Sequence, residues 1–170
     1  MAKQGRKTDD QLLRNRRIAS MKSLYFNRFI LARYSLAIFF FSNFLLAYLC
    51  FPEIAGIGAV GMLIMAILPI WEMGKMYGEV APKYKMTKCF FVLQWFFNLI
   101  LIFMTALQPV SQTFPFLTDI STSRIVMLVV LVIGLALVTF VLYRFYQIDR
   151  NVDKAYRRIE FFEKKYRMHI

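Results

Sequence analysis

The chain has 170 residues, of which 59% are hydrophobic, and it carries a formal net charge of +12. This apolar fraction exceeds the usual share in a soluble domain, so the composition argues against a soluble globular protein and indicates contact with lipid. A basic charge spread over a soluble surface would favour nucleic acid. Here nearly all the basic residues lie outside the apolar segments, and no specific nucleic-acid partner is predicted.

The first 30 residues are predicted to form a basic cytoplasmic arm. Thr8 and Gln11 have the spacing of a capping box, which indicates that a helix starts there. Leucines at positions 12 and 13 lie among arginines and lysines. We expect this amphipathic helix to lie on the anionic inner leaflet of a bilayer.

Four apolar segments are long enough to cross a membrane as helices: 31–51, 54–71, 89–107 and 125–146. The last contains Ile125 to Tyr143, a run without any charged residue. As a helix this run is roughly 28 Å long, close to the hydrocarbon thickness of a bilayer. The predicted fold class is all-α: an integral membrane bundle of four transmembrane helices over residues 31–146, with cytoplasmic amphipathic helices at the N- and C-terminal ends.

The distribution of charge predicts how these spans are oriented. Of the 22 lysines and arginines, 21 lie in residues 1–33, in the loop between the second and third spans, or after Tyr143. Arg124 is the exception. Because basic loops stay on the cytoplasmic side, we predict a multi-pass protein of the cell membrane with both termini in the cytoplasm.

A glycine-rich stretch opens the second span. Gly56 to Gly61 matches the pattern G-x-G-x-x-G, but dinucleotide binding needs a strand before the glycines and a helix N-terminus facing water. Neither is expected inside an apolar span, so no cofactor is predicted. We interpret the small residues as a face on which another helix packs closely, formed by Ala55, Gly58, Ala59 and Gly61.

The third span carries Gln94 and Asn98, which are four residues apart and therefore share one helix face. Amides in hydrocarbon need hydrogen-bond partners. The pair is predicted to turn inward toward Asn43 or Ser42 of the first span. A substrate-binding amide pair is the alternative.

Residues 108–124 form a loop on the side opposite to the basic segments. Pro109 and Pro115 prevent a continuous helix there. Phe114, Phe116 and Leu117 are expected to rest at the membrane interface. The alternative is that this loop docks a partner.

Residues 147–170 are predicted to form a basic amphipathic cytoplasmic helix. No Pro or Gly interrupts the chain after Gly134, so the last span either continues as one helix or bends at the interface. Apolar residues recur at helical spacing and form one stripe. This stripe is predicted to dock on a partner or on the membrane surface, and it comprises Ile148, Val152, Ala155, Ile159, Phe162 and Tyr166.

The four spans contain no constellation typical of catalysis or metal binding. His169, the one histidine, is the penultimate residue, and the ten acidic residues fall outside the apolar cores. Cys50 and Cys89 are placed at opposite ends of the spans, too far apart for a disulfide. No catalytic residue, metal or cofactor is predicted, and the protein is not expected to be an enzyme.

We therefore predict a non-catalytic accessory, assembly or regulatory subunit of a larger membrane complex. It would bind a partner, or a second copy of itself, through the small-residue face and the C-terminal stripe. The alternative is a small oligomeric transporter or channel subunit, with a pathway lined by Asn43, Gln94, Asn98 and Thr105. An enzyme that acts on membrane lipid is the third and weakest hypothesis.

Overall fold

A computed structural model describes residues 12, 15–16, 18–24, 27–75 and 84–166, without the side chains of residue 154 and residues 162–166. Every regular element in these ranges is an α-helix. Thr8 and Gln11 lie outside the described residues, but residues 18–24 are helical and Met21 is fully buried. Six helices follow: α1 (Ile30–Cys50), α2 (Ile54–Lys75), α3 (Lys85–Leu107), α4 (Val110–Thr113), α5 (Ser121–Asp149) and α6 (Lys154–Tyr166).

The four-span prediction is confirmed, since α1, α2, α3 and α5 are each long and apolar enough to cross a membrane. Their ends differ from the predicted ones. α2 continues to Lys75 and α3 begins at Lys85, while α5 extends over 29 residues from Ser121 to Asp149. The helices therefore run past the charged residues at the ends of the predicted spans, because Glu72 and Asp149 have hydrogen-bond partners at the helix ends and long basic side chains reach the interface from inside a helix.

The spans form an antiparallel arrangement in which α1 packs on α2, α2 on α3, and α3 on α5. α1 and α5 make far fewer contacts with each other, so the bundle is open between these two helices. α5 is also the span with the most lipid-facing surface: 17% of its most apolar window is buried, against 33% in each of the other three. The gap between α1 and α5 therefore lies beside the span with the smallest buried fraction.

The connection between α1 and α2 is a tight turn that depends on Gly56. A Cβ atom at this position would lie 2.6 Å from the backbone carbon and oxygen of Cys50. The amide of Glu53 donates to the carbonyl of Cys50 at 2.7 Å and closes the turn. Only glycine permits this approach of two backbones.

We expect Gly56→Ala to lower the stability of the protein by about 1–3 kcal/mol, the usual cost of overpacking. Gly61→Ala is the matched control, because a Cβ there meets nothing within 4 Å and alanine is the better helix former. Thermal unfolding in detergent measures both. Equal midpoints for the two variants would contradict the close approach at Gly56.

The loop after α3 enters the bundle instead of resting on its surface. Phe114 was expected at the interface, but it is fully buried in a cluster with Cys50, Leu101, Val110 and Leu131. Its neighbour Phe116 remains 46% exposed. The expectation for Phe114 was wrong because the short helix α4 turns the loop back over the ends of the spans.

The same loop is held in place by Asp119. Its carboxylate accepts hydrogen bonds from the amide of Ser111 at 2.9 Å and from the hydroxyl of Ser111 at 2.5 Å. These bonds hold the pKa of Asp119 below its usual value, since they stabilise the charged form. Asp119 therefore links the two ends of the loop.

The last span does not continue as one helix, because α5 stops at Asp149 and α6 begins at Lys154. Asn151 adopts a left-handed conformation with φ of 55°, and its amide donates to the carbonyl of Ile148. The amide of Val152 donates to the carbonyl of Gln147. This pair of bonds is the Schellman motif that ends many helices, with asparagine in the position usually taken by glycine.

The stripe residues are consequently divided between different surroundings. Ile148 is buried in the bundle core at the end of α5, and Val152 lies in the turn with 61% of its surface exposed. On α6, Ala155 is half-buried and Ile159 is fully buried. The side chains of Phe162 and Tyr166 lie outside the described residues.

Candidate intramembrane polar cleft

The predicted amide residues form one layer across the bundle. Asn43 Nδ2 donates to Gln94 Oε1 at 2.8 Å, which joins α1 to α3. Gln94 Nε2 lies 3.4 Å from Asn98 Oδ1. All three side chains are buried, with at most 6% of the surface exposed. The amide face of α3 thus turns toward α1, as its spacing predicted, while a role in binding a solute stays a prediction.

Asn98 has an amide nitrogen that is not satisfied. Its Nδ2 atom is buried and has no hydrogen-bond partner among the described residues. A Cβ at Gly134 of α5 would lie 3.2 Å from this atom, so glycine makes room for the amide. An unpaired buried donor costs about 1–3 kcal/mol, which marks this position as one where an acceptor would be stabilising.

The amide layer is the floor of a cavity of about 330 Å³ on the open side of the bundle. We call it the α1–α5 cleft. Its walls include Ser42 and Leu46 of α1 and Met127 and Val130 of α5. Apart from the amides and Ser42, the cleft is apolar, so it can hold a hydrophobic segment and offer hydrogen bonds at one depth.

Two apolar clusters lie on either side of the amide layer along the bundle. One surrounds Phe91 and Phe145 toward the basic end, and the other surrounds Phe114 toward the opposite end. Thr105, the fourth side chain of the predicted pathway, is fully buried and donates to the carbonyl of Leu101. The amide layer therefore lies between two packed apolar clusters along the bundle.

The predicted small-residue face of α2 is used within the chain. Ala55 and Ala59 are buried, and a Cβ at Gly58 would lie 2.6 Å from the ring of Phe97 on α3. Gly61 is exposed and has open space beside it. Three of the four residues therefore pack inside the bundle, and Gly61 does not belong to that face.

A second polar cluster, which sequence reasoning missed, ties the start of α1 to the start of α6. The guanidinium of Arg28 donates to both carboxylate oxygens of Asp153, at 3.0 and 3.1 Å from Nε. It also donates to the carbonyl of Ile148 and to the side chain of Asn151. Both charged side chains are buried. We call this group the Arg28 clasp.

The clasp also fixes the first turn of α6. Asp153 Oδ2 accepts a hydrogen bond from the amide of Tyr156 at 3.3 Å, which is the geometry of an N-cap. The ring of Tyr156 lies 5.2 Å from the Arg28 guanidinium. Arg28 was counted among the residues attracted to lipid headgroups, but its charge is satisfied inside the protein.

Two further carboxylates at the basic end hold helix ends together. Glu72 of α2 accepts hydrogen bonds from the amides of Met86 and Thr87 and so caps the start of α3. Asp149 accepts hydrogen bonds from Tyr84 and Lys88. Burial and the bond to Asp149 raise the pKa of Tyr84 above its usual value. These contacts give both carboxylates structural roles.

We expect Gln94→Leu to destabilise the bundle by about 0.6–2 kcal/mol, the range for hydrogen bonds between membrane helices, because Asn43 loses its acceptor. A double-mutant cycle with Asn43→Leu measures the coupling by unfolding in SDS. The paired change should cost less than the sum of the single changes. Strict additivity would show that the two amides do not interact.

The cysteines carry no disulfide in the structure: Cys50 is buried and Cys89 is exposed, and both are free. Among the described residues, no group of three or more His, Cys, Asp or Glu side chains is arranged to hold a metal ion.

Comparison with protein-family models, curated protein sequences and solved structures finds no match.

Proposed function

We propose that the protein is a non-catalytic subunit that assembles with, stabilises or regulates a larger membrane complex. The observation that carries this proposal is the α1–α5 cleft. Lipid chains can fill an apolar gap between two helices, but they cannot use hydrogen-bonding groups near the middle of a bilayer. A transmembrane helix of another protein can fill the gap and also supply polar side chains.

The chemistry of the cleft indicates what this partner helix carries. Ser42 and Asn43 lie on one wall, and Asn98 has an unsatisfied donor on the floor. A Ser, Thr or Asn side chain on the incoming helix would provide the missing acceptor, and small residues beside it would let the helix approach closely. The lipid-facing side of α5 then extends the contact beyond the cleft.

The orientation of the complex follows from charge. We propose that the end carrying the Arg28 clasp faces the cytoplasm of the cell membrane, since Lys75, Lys85 and Lys88 lie at that same end. The lining of the cleft includes Phe116, which lies at the opposite end of the bundle. The partner helix would therefore contact the cleft on that side of the membrane.

Affinity purification from native membranes in mild detergent tests the assembly role. We expect a stoichiometric membrane protein to co-purify with the wild type. Met127→Trp places a larger side chain in the cleft and should reduce the amount of co-purified partner about tenfold. Ile64→Trp is the control, because Ile64 is 63% exposed on α2, away from the cleft. Equal recovery with both tryptophan variants would contradict a partner in the cleft.

A transporter or channel subunit is the second candidate, favoured by the amide layer alone. Apolar clusters lie on both sides of that layer along the bundle, so such a pathway would form between copies. In that case Gln94→Leu with Asn98→Leu should abolish potassium flux through reconstituted vesicles while the bundle stays folded. We expect no flux from the wild type.

A further inference from the structure

A second cavity, of about 550 Å³, lies between α1 and α2 at the basic end. Its walls are mainly apolar and include Leu36, Phe40 and Ile70. This volume falls in the range of small-molecule pockets, about 300–1,000 Å³. An apolar cavity of this size can hold a flexible hydrocarbon chain.

The groove begins at the depth where lipid headgroups lie. Tyr34 at its rim is 68% exposed, and Trp71 beside it is 69% exposed, as expected for aromatic residues at a membrane interface. From this level the groove extends along α1 past Ala37 to Phe41. One end is therefore at the headgroups and the other is in hydrocarbon.

Positive charge is concentrated at the headgroup end. Gly74 lines the groove, and Lys75 is the next residue in the chain. The Nζ atom of Lys75 lies 5.3 Å from the centre of the Trp71 ring. Arg33 also lines the groove, but its guanidinium nitrogens are buried, so Lys75 is the exposed cation beside the groove. Among the described residues, Lys85 and Lys88 also lie at this end of the bundle, which makes it complementary to a phosphate.

We propose that this groove, named the α1–α2 groove, binds one anionic phospholipid. An acyl chain lies between α1 and α2, and the phosphate lies beside Lys75 and the Tyr34 hydroxyl. The groove is separate from the α1–α5 cleft, so this inference is independent of the proposed partner. The bound lipid would add to the contacts by which α1 packs on α2.

Native mass spectrometry tests the site. Purified protein is mixed with equal amounts of phosphatidylglycerol and phosphatidylcholine that carry the same acyl chains. We expect one phosphatidylglycerol to remain bound, with about fivefold preference, which corresponds to one Lys near an anionic group. Lys75→Gln should remove this preference, while Lys85→Gln, on the exposed first turn of α3, should keep it.

A pair of glycine variants separates the acyl-chain contact from the charge. Gly74→Leu should block the groove and reduce binding of both lipids, since Gly74 lines the groove and has open space beside it. Gly61→Leu adds the same side chain to the same helix outside the groove and should leave binding unchanged. Equal retention of both lipids by the wild type, or equal effects within either matched pair, would overturn the proposal.

Discussion

Replacing Arg28 by methionine is expected to destabilise the protein by about 3–5 kcal/mol, the usual cost of breaking a buried ion pair by removing one partner. The carboxylate of Asp153, whose side chain is fully buried, would be left without its charged partner. The carbonyl of Ile148 and the side chain of Asn151 would also lose a donor. Denaturant unfolding of the purified protein measures the loss.

Two further variants make this prediction specific. Arg158→Met removes an exposed arginine from α6 and should change the free energy of unfolding by no more than about 0.5 kcal/mol. The double variant Arg28→Met with Asp153→Leu should recover most of the stability, because no unpaired charge remains. The free energy of unfolding of this double variant should stay about 1 kcal/mol below that of the wild type, since α6 loses its N-cap. If Arg28→Met behaved like Arg158→Met, the clasp would have no energetic role.

Phe114→Ala is expected to have the second large effect, about 3–5 kcal/mol, the range for truncating a buried Phe to Ala. The ring fills the space between the ends of α1, α2, α3 and α5, and alanine would leave a cavity there. Denaturant unfolding measures the change, and proteolysis of the loop between α3 and α5 should become faster.

The matched control for Phe114 is Phe103→Ala. Phe103 lies on α3 with 65% of its surface exposed, so its truncation leaves no enclosed cavity. We expect a change below about 1 kcal/mol. Similar losses from the two variants would mean that Phe114 does not anchor the loop.

The four spans were predictable because the signal is simple: long runs without charge must cross the membrane as helices. The contact between Asn43 and Gln94 was also predictable, since an amide in hydrocarbon has few alternatives to another amide. The sequence could not predict which small residues face a neighbour. Gly56 and Gly61 look alike in the pattern, yet one meets the backbone of Cys50 and the other meets nothing.

The position of the break after α5 was not predicted, because only Pro and Gly were considered as helix terminators. Asparagine also tolerates the left-handed conformation, and an aspartate two residues later is a common N-cap. Asn151 and Asp153 together therefore indicate that one helix ends and another begins. The partner of Asp153 is 125 residues away at Arg28, and a contact of that separation has no signal in a single sequence.

The most direct test of the proposed function is site-specific photo-crosslinking in native membranes. A benzophenone amino acid placed at Leu46, inside the α1–α5 cleft, should yield one discrete crosslinked protein in high yield. The same probe at Ile64, on the lipid-facing side of α2, should yield lipid adducts alone. A crosslinked protein from Leu46 that is lost in the Met127→Trp background would support the account, whereas lipid adducts alone from both positions would contradict it.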